Sequence, residues 1–150
     1  MLPVETVIPP SLLDYMEGLR THDVDMIRST LSEDVRFVTP AKAMGKKEIL
    51  EFLAALYRGF PDWSYDSVGP KLIEDGVFSV KWKQWGTHTA PLEFPGFEGV
   101  PATGKTVVIS EHHFFYKVLK DELVEIRPDP IPGGAPRGIF EQIGVELPPL

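Results

Sequence analysis

Apolar residues recur along this chain at two spacings, and the change from one to the other divides it. Leu12, Tyr15, Met16 and Leu19 fall at i, i+3, i+4 and i+7, the stripe of an amphipathic helix. Ser11-Leu12-Leu13-Asp14 at its start reads as a capping-box variant with Asp in the last position. Asp23 is placed to cap a second short helix whose buried face is Val24, Ile27 and Leu31. VRFVT, bounded by Asp34 and Pro40, reads as a short strand. GKKEILEFLAALYRGF predicts the clearest helix: Ile49, Phe52, Leu53, Leu56 and Tyr57 form one stripe, and Gly59 is a natural stop. Beyond Trp63 the period shortens to that of strands. WSYDSVGPKLIED and VFSVKWKQWGTHT meet at Asp75-Gly76, a strong hairpin signal. KTVVISEHHFFYKVL turns at Asp121 and Glu122 into a last strand, LVEIR. A loop rich in Pro and Gly then leads to RGIFEQIG, a short helix that Gly144 would cap. Helices followed by long antiparallel strands predict an α+β fold, a curved antiparallel sheet packed on N-terminal helices with a pocket between the two.

Composition narrows what that pocket can hold. The 150 residues make one domain, 1–150, with a core from about residue 10 to 145. There is no cysteine, which excludes disulfides, thiolate metal sites and a cysteine nucleophile. The net charge of −7 is spread along the chain, with no basic stripe to neutralise phosphates, so nucleic acid is not an expected partner. No basic leader and no apolar run of membrane-spanning length is visible, so a cytoplasmic protein with no membrane partner is expected.

Residues 99–106, GVPATGKT, match the phosphate-binding pattern G-x-x-x-x-G-K-[ST]. Its mechanics need a strand before the loop and a helix starting at the Lys. Here turn-like EFPGFE precedes it, β-branched TVVIS follows it, and Pro101 removes a loop amide. The segment is read as a connection feeding a strand.

Chemistry concentrates in ISEHHFFYK, where Glu111, His112 and His113 stand side by side. Strand alternation sends one histidine inward as a pocket donor or base and the other outward. Asp129 is a second candidate, with an Asx turn ahead of Pro130 as the competing role. Trp82, Gln84, Gly86 and His88 share one strand face, Lys81, Lys83, Trp85 and Thr87 the other, so Trp82 and Gln84 are expected to point inward. Gln84 could orient a ligand carbonyl or be a satisfied core amide. His88 could reach a ligand or pin the strand end. Adjacent histidines on a strand diverge, and no spacing supports a metal site.

W-x-x-x-G-T-H-T from Trp82, Pro101-Ala102-Thr103-Gly104-Lys105-Thr106-Val107, the strand from Glu111, Gly138-Ile139-Phe140-Glu141-Gln142-Ile143-Gly144, and FPDW before the long strands together resemble the SnoaL-like polyketide cyclase family of the nuclear transport factor 2-like superfamily. The resemblance covers roughly residues 10–145. It implies a cone of bent antiparallel strands closed by helices around an apolar cavity, and, for the fold, a homodimer or homotetramer meeting through the outer sheet face. It implies aldol-type ring closure on a small apolar carbonyl compound by acid/base proton transfer, or a related isomerase, dehydratase or hydrolase step, with no metal or organic cofactor. A non-catalytic ligand-binding domain of the same fold is the alternative. In the family an Asp on the last strand and a His on the strand before it do this work. Pairing KVLKDELVE with the family hairpin puts Phe114 at the His and Pro128 at the Asp, with Asp129 one step on. His112, His113 and Asp129 are therefore the catalytic candidates, and Trp82, Gln84, His88, Phe114 and Tyr116 the substrate-binding ones.

Overall fold

A computed structural model describes residues 7–40 and 42–146; the ends of the expected 1–150 domain lie outside the described residues. Two prolines set where the first helix begins. Pro10 opens α1 (Pro10–Thr21), its fixed φ suiting a position whose N–H would have no helical partner anyway. The capping box expected at Ser11 does not form, because Ser11 already lies inside the first turn and is buried. The Ser11 N–H instead donates to the Asp121 carboxylate at 3.0 Å, a residue of a distant hairpin turn. Asp23 caps α2 (Val24–Thr30) as its position predicts, accepting from the Met26 N–H at 3.0 Å. Asp23→Ala is expected to cost about 1 kcal/mol in denaturant unfolding, the usual value of a lost cap. Leu31, assigned by its spacing to this helix, is buried but opens β1 (Leu31–Val38).

Two residues, Ala43–Met44, form β2 against the end of β1, too few to leave a period in the sequence. In α3 (Lys46–Gly59), Glu48 reaches back to the Gly45 N–H at 3.3 Å. The hairpin of β3 (Ser64–Glu74) and β4 (Val77–Thr87) turns at Asp75-Gly76, with Gly76 at φ 72°. The next hairpin, β5 (Thr106–Leu119) and β6 (Glu122–Pro128), turns at Lys120 and Asp121, both left-handed at φ 50° and 55°. Glu122 thus belongs to the strand rather than to the turn. A short α4 (Arg137–Gln142) ends the described fold.

The six strands order as β2-β1-β6-β5-β4-β3. The β1–β6 pair is parallel and the others antiparallel. Leu12, Met16, Ile27, Ile49 and Leu56 of the helices and Val80, Trp82, Ile109, Tyr116 and Ile126 of the sheet form one buried core. The opposite sheet face carries Lys83, the Lys81–Glu111 ion pair at 3.3 Å, and the cross-strand pair Trp85 and Val108, both exposed.

One irregularity explains the run of ionisable residues in ISEHHFFYK. Trp82 pairs with His112 but Gln84 pairs with Ile109, so Ser110 and Glu111 together oppose Lys83 alone. This is a β-bulge on β5. Both bulge residues are exposed, and the inward alternation resumes one step late at His112, Phe114 and Tyr116. β5 also outruns β6, which ends at Pro128 opposite Phe114. Gln142 of α4 serves the freed edge, accepting from the Val108 N–H at 3.0 Å and donating to its carbonyl at 2.7 Å. The Pro/Gly loop between β6 and α4 is thereby tied down across the sheet.

Candidate functional site

Between the sheet and the helices lies a cavity of about 50 Å³, room for a compact group of a few heavy atoms. Trp82, Phe114 and Tyr116 form much of the sheet wall, and Tyr15, Ile49 and Leu53 face them from α1 and α3. Every polar group here is neutral. Tyr15, Tyr65 and Tyr116 line the space, and Tyr57, the remaining tyrosine of the four in the chain, hydrogen-bonds Tyr65 hydroxyl to hydroxyl at 2.8 Å. Burial holds all four phenols above their ordinary pKa, so they stay protonated and can donate.

The direction of those donations follows from the partners. Trp82 Nε1 can only donate, so at 2.8 Å the Tyr116 oxygen accepts, and its own proton is left for another acceptor. In the Tyr57–Tyr65 pair one hydroxyl donates to the other, which again leaves one proton over. The Tyr15 hydroxyl makes no hydrogen bond to any described residue, and its ring stands 5.6 Å from that of Tyr116. Gln84 completes the polar set, its Oε1 accepting from Trp63 Nε1 at 3.4 Å. Among the described residues no carboxylate or imidazole lines this cavity. It is an apolar chamber with spare hydroxyl donors, complementary to a ligand oxygen that accepts.

Above it opens a wider cleft of about 1220 Å³. Its walls are α3, the turn at Phe94–Phe97, and the loop from Asp129 to Pro136. Met44, Phe52, Ala135 and Pro136 line both spaces and form the throat between them.

The expected site residues divide among these places. Trp82, Gln84, Phe114 and Tyr116 line the inner cavity. Asp129 is exposed and lines the outer cleft, its N–H donating to the His113 carbonyl at 2.8 Å. His112 is buried on the inner face but lines neither space. Its Nδ1 donates to the Ser110 carbonyl at 2.8 Å, and its buried Nε2, on the side of Gly134 of the loop, has no partner among the described residues. His113 projects from the outer face and is exposed, its ring over Phe115, because the bulge assigns the inward position to its neighbour. Tyr15 and Tyr65 were not expected here. Tyr15 gave one signal, a hydroxyl within an otherwise apolar helical stripe, while Tyr65 lies in a largely polar strand and faces inward as the partner of Gln84. Among the described residues no three of His, Asp or Glu converge as metal ligands.

His88 lies outside both spaces, and its surroundings show what the sequence motifs build. The Thr103 N–H at 3.2 Å can only donate, so His88 Nδ1 accepts, and the ring is neutral with its proton on Nε2. Thr103 Oγ1 lies 2.9 Å from the same nitrogen, and the imidazole stacks on Phe60 at 5.0 Å. Burial lowers the His88 pKa. Beside it Asp62 accepts from the Thr87 N–H at 2.7 Å, which holds that carboxyl below its usual pKa. Trp63 lies so close over Gly86 that a Cβ there would come within 2.6 Å of the indole. FPDW, GTHT and PATGK are thus one structural latch. The phosphate-loop match falls inside it, and a strand rather than a helix follows, from Thr106.

The family model described as the SnoaL-like domain matches residues 12–126. The chain belongs to the SnoaL-like family. Solved structures agree on the nuclear transport factor 2-like fold. A protein of Jannaschia sp. CCS1 classed as a SnoaL-like polyketide cyclase is 18% identical, with 97% of this chain and 99% of that one covered and a TM-score of 0.68. AclR of Streptomyces galilaeus, classed as a hydroxylase, is 17% identical over 93% of this SnoaL-like chain and 82% of its own, with a TM-score of 0.68. IdmH of Streptomyces antibioticus, classed as a polyketide cyclase, is 17% identical over 90% and 96%, with a TM-score of 0.63. At these identities the likeness is one of fold. No curated protein matches this SnoaL-like chain, and none of its described helices is long and apolar enough to cross a membrane.

Proposed function

We propose that this SnoaL-like protein takes a small, largely apolar carbonyl compound into the tyrosine-lined chamber and moves a proton on it, as in ring closure by an intramolecular aldol step or a related isomerase, dehydratase or hydrolase reaction. The observation that carries the reading is the Tyr116 hydroxyl, which accepts from Trp82 Nε1 and so keeps its own proton to donate, in a cavity where the Tyr15 hydroxyl has no hydrogen-bond partner among the described residues. Removal of a proton beside a carbonyl develops charge on its oxygen. Preorganised donors in a water-poor chamber stabilise that charge far better than bulk solvent does. The phenols donate without ionising, since burial holds their protons. The base in this reading is Asp129, which lines the outer cleft together with Glu48, Glu51 and Glu141 and stands at the start of the loop that carries Ala135 and Pro136 of the throat.

A second reading, ligand binding without turnover, has its own support. Phe114 and Pro128 face each other across the β5–β6 ladder at the places where the resemblance expects the catalytic His and Asp. A homodimer or homotetramer through the outer sheet face belongs to either reading, and the exposed Trp85 and Val108 pair supports it.

Hydrogen exchange beside the carbonyl separates the two without knowledge of the product. Small aryl ketones and aromatic polyketide esters are incubated with the protein in D2O, and loss of the α-proton signal is followed by NMR. The catalytic reading predicts accelerated exchange that falls about a hundredfold or more in Asp129→Asn, with a loss in His112→Ala as well. Saturable binding with no exchange above buffer, in wild type and variants alike, would establish the second reading.

A further inference from the structure

We infer that Arg20, which lines neither space, is a positioning residue for the chamber: its charge, held over Trp82, strengthens the hydroxyl that Tyr116 offers to a ligand oxygen. This rests on the carbonyl-binding reading above and adds a cation to a chamber none of whose described lining residues is charged. Arg20 stands in the last turn of α1, next to Leu19, which does line the chamber. Its guanidinium carbon lies 5.9 Å from the centre of the Trp82 ring. Two contacts hold it there. Nη2 donates to the Ser67 hydroxyl at 3.0 Å, and Nη1 lies 3.6 Å from the Glu17 carboxylate. Ser67 is the β3 partner of Trp82 on the β3–β4 ladder, so the register that places the indole also places the anchor of the cation over it.

From the indole the contacts run inward. Trp82 is buried, and its Nε1–H donates to the Tyr116 oxygen at 2.8 Å. A cation over an indole face attracts its ring electrons. The ring nitrogen loses density, and its N–H becomes a stronger donor. A hydroxyl that accepts a stronger hydrogen bond gives its own proton more strongly in turn, because linked hydrogen bonds polarise one another in a low-dielectric interior. Arg20 therefore acts on the ligand oxygen through two neutral groups, and no charge has to be buried beside the ligand. The effect grows as the oxygen gains charge, as it does when a neighbouring proton leaves. Glu17 works against it, since its carboxylate offsets part of the same field. The Arg20 and Glu17 side chains are 41% and 55% exposed, so water screens both and the expected effect is small.

The test compares wild type with Arg20→Gln, Arg20→Lys and Glu17→Gln. Gln drops the charge and keeps a donor for the Ser67 hydroxyl; Lys keeps the charge. In the free protein, labelled with 15N-tryptophan, NMR reads the Trp82 indole proton. In the complex with 13C-labelled acetophenone, infrared difference spectroscopy reads the carbonyl stretch and titration gives the affinity. Arg20→Gln should move the indole proton upfield, raise the carbonyl frequency and weaken ketone binding about twofold to threefold. Arg20→Lys should restore most of each signal. Glu17→Gln should move each signal the opposite way, which a loss of packing does not predict. In a Tyr116→Phe background, Arg20→Gln should have no further effect on the ketone. Unchanged signals in Arg20→Gln, a Lys variant that behaves as the Gln variant, or a ketone response that persists without the Tyr116 hydroxyl would overturn the inference and leave the carbonyl-binding reading standing. A wild-type complex whose carbonyl absorbs at its alkane frequency would refute that reading itself, and with it the role assigned to Arg20.

Discussion

Replacing His88 by Ala is expected to lower stability by about 3 kcal/mol, and the melting temperature by roughly 6–12 °C. The imidazole is completely buried. Its removal opens a cavity against Phe60 and leaves the Thr103 N–H without its acceptor. The same residue predicts a pH dependence. Burial puts the folded-state pKa of His88 below the unfolded value of about 6.5. Above that pH both states are neutral at this site and its contribution is complete. As pH falls through about 6.5 the unfolded chain takes up the proton first, so stability declines until the folded-state pKa is reached. His88→Asn keeps an acceptor oxygen near the position of Nδ1 and cannot titrate. It should recover part of the loss and flatten the slope between pH 7.5 and 5 relative to wild type. Thermal melts across that window, on wild type and both variants, measure all three effects. A His88→Ala protein as stable as wild type would remove the latch from the account.

The second large effect is expected from a single oxygen atom. Tyr15→Phe should weaken binding of a small aryl ketone about tenfold, or slow a proton transfer on it about a hundredfold if the hydroxyl faces the developing oxyanion. The melting temperature should stay the same or rise slightly. No hydrogen bond joins the Tyr15 hydroxyl to another described residue, and its ring contact with Tyr116 at 5.6 Å does not involve the oxygen, so its loss breaks no hydrogen bond among the described residues. Tyr116→Phe is the contrasting case. It removes a ligand donor and also deprives Trp82 Nε1 of its acceptor, so binding and stability should fall together, the latter by about 1–3 kcal/mol. Comparison of the two variants by ketone titration and thermal melt separates a hydroxyl that serves the ligand from one that serves both ligand and fold. Equal ketone affinity in Tyr15→Phe and wild type would show that Tyr15 does not touch the ligand.

Local signals in the sequence were strong where one residue governs one piece of backbone. Asp23 at a helix start, Asp75-Gly76 between strands, and Gly59 at a helix end could each be read from their neighbours. Signals failed where the deciding partner is remote. Asp121, more than a hundred residues away, takes the part a capping Ser11 would have played. β2 is too short to show a period. The site was legible to the same degree. Alternation along β4 and β5 was enough to bring Trp82, Gln84, Phe114 and Tyr116 to one face. It could not bring Tyr15 to that face, since α1 meets the chamber only through tertiary packing, whereas Tyr65 reaches it along the β3–β4 ladder as the partner of Gln84. Nor could it reveal that His88 and its motif companions are turned to holding loops together. Both latch and ligand contacts call for buried polar groups with definite partners, and a sequence does not distinguish the two uses.

An acceptor oxygen held by phenol protons in an apolar chamber has a vibrational signature. The carbonyl stretch of 13C-labelled acetophenone, measured by infrared difference spectroscopy on the complex, should lie at lower frequency than in an alkane solvent, and should move back toward the alkane value in Tyr15→Phe and Tyr116→Phe. A bound ketone that absorbs at the alkane frequency in all three proteins would contradict the account, because its oxygen would then meet none of the hydroxyl donors of the chamber.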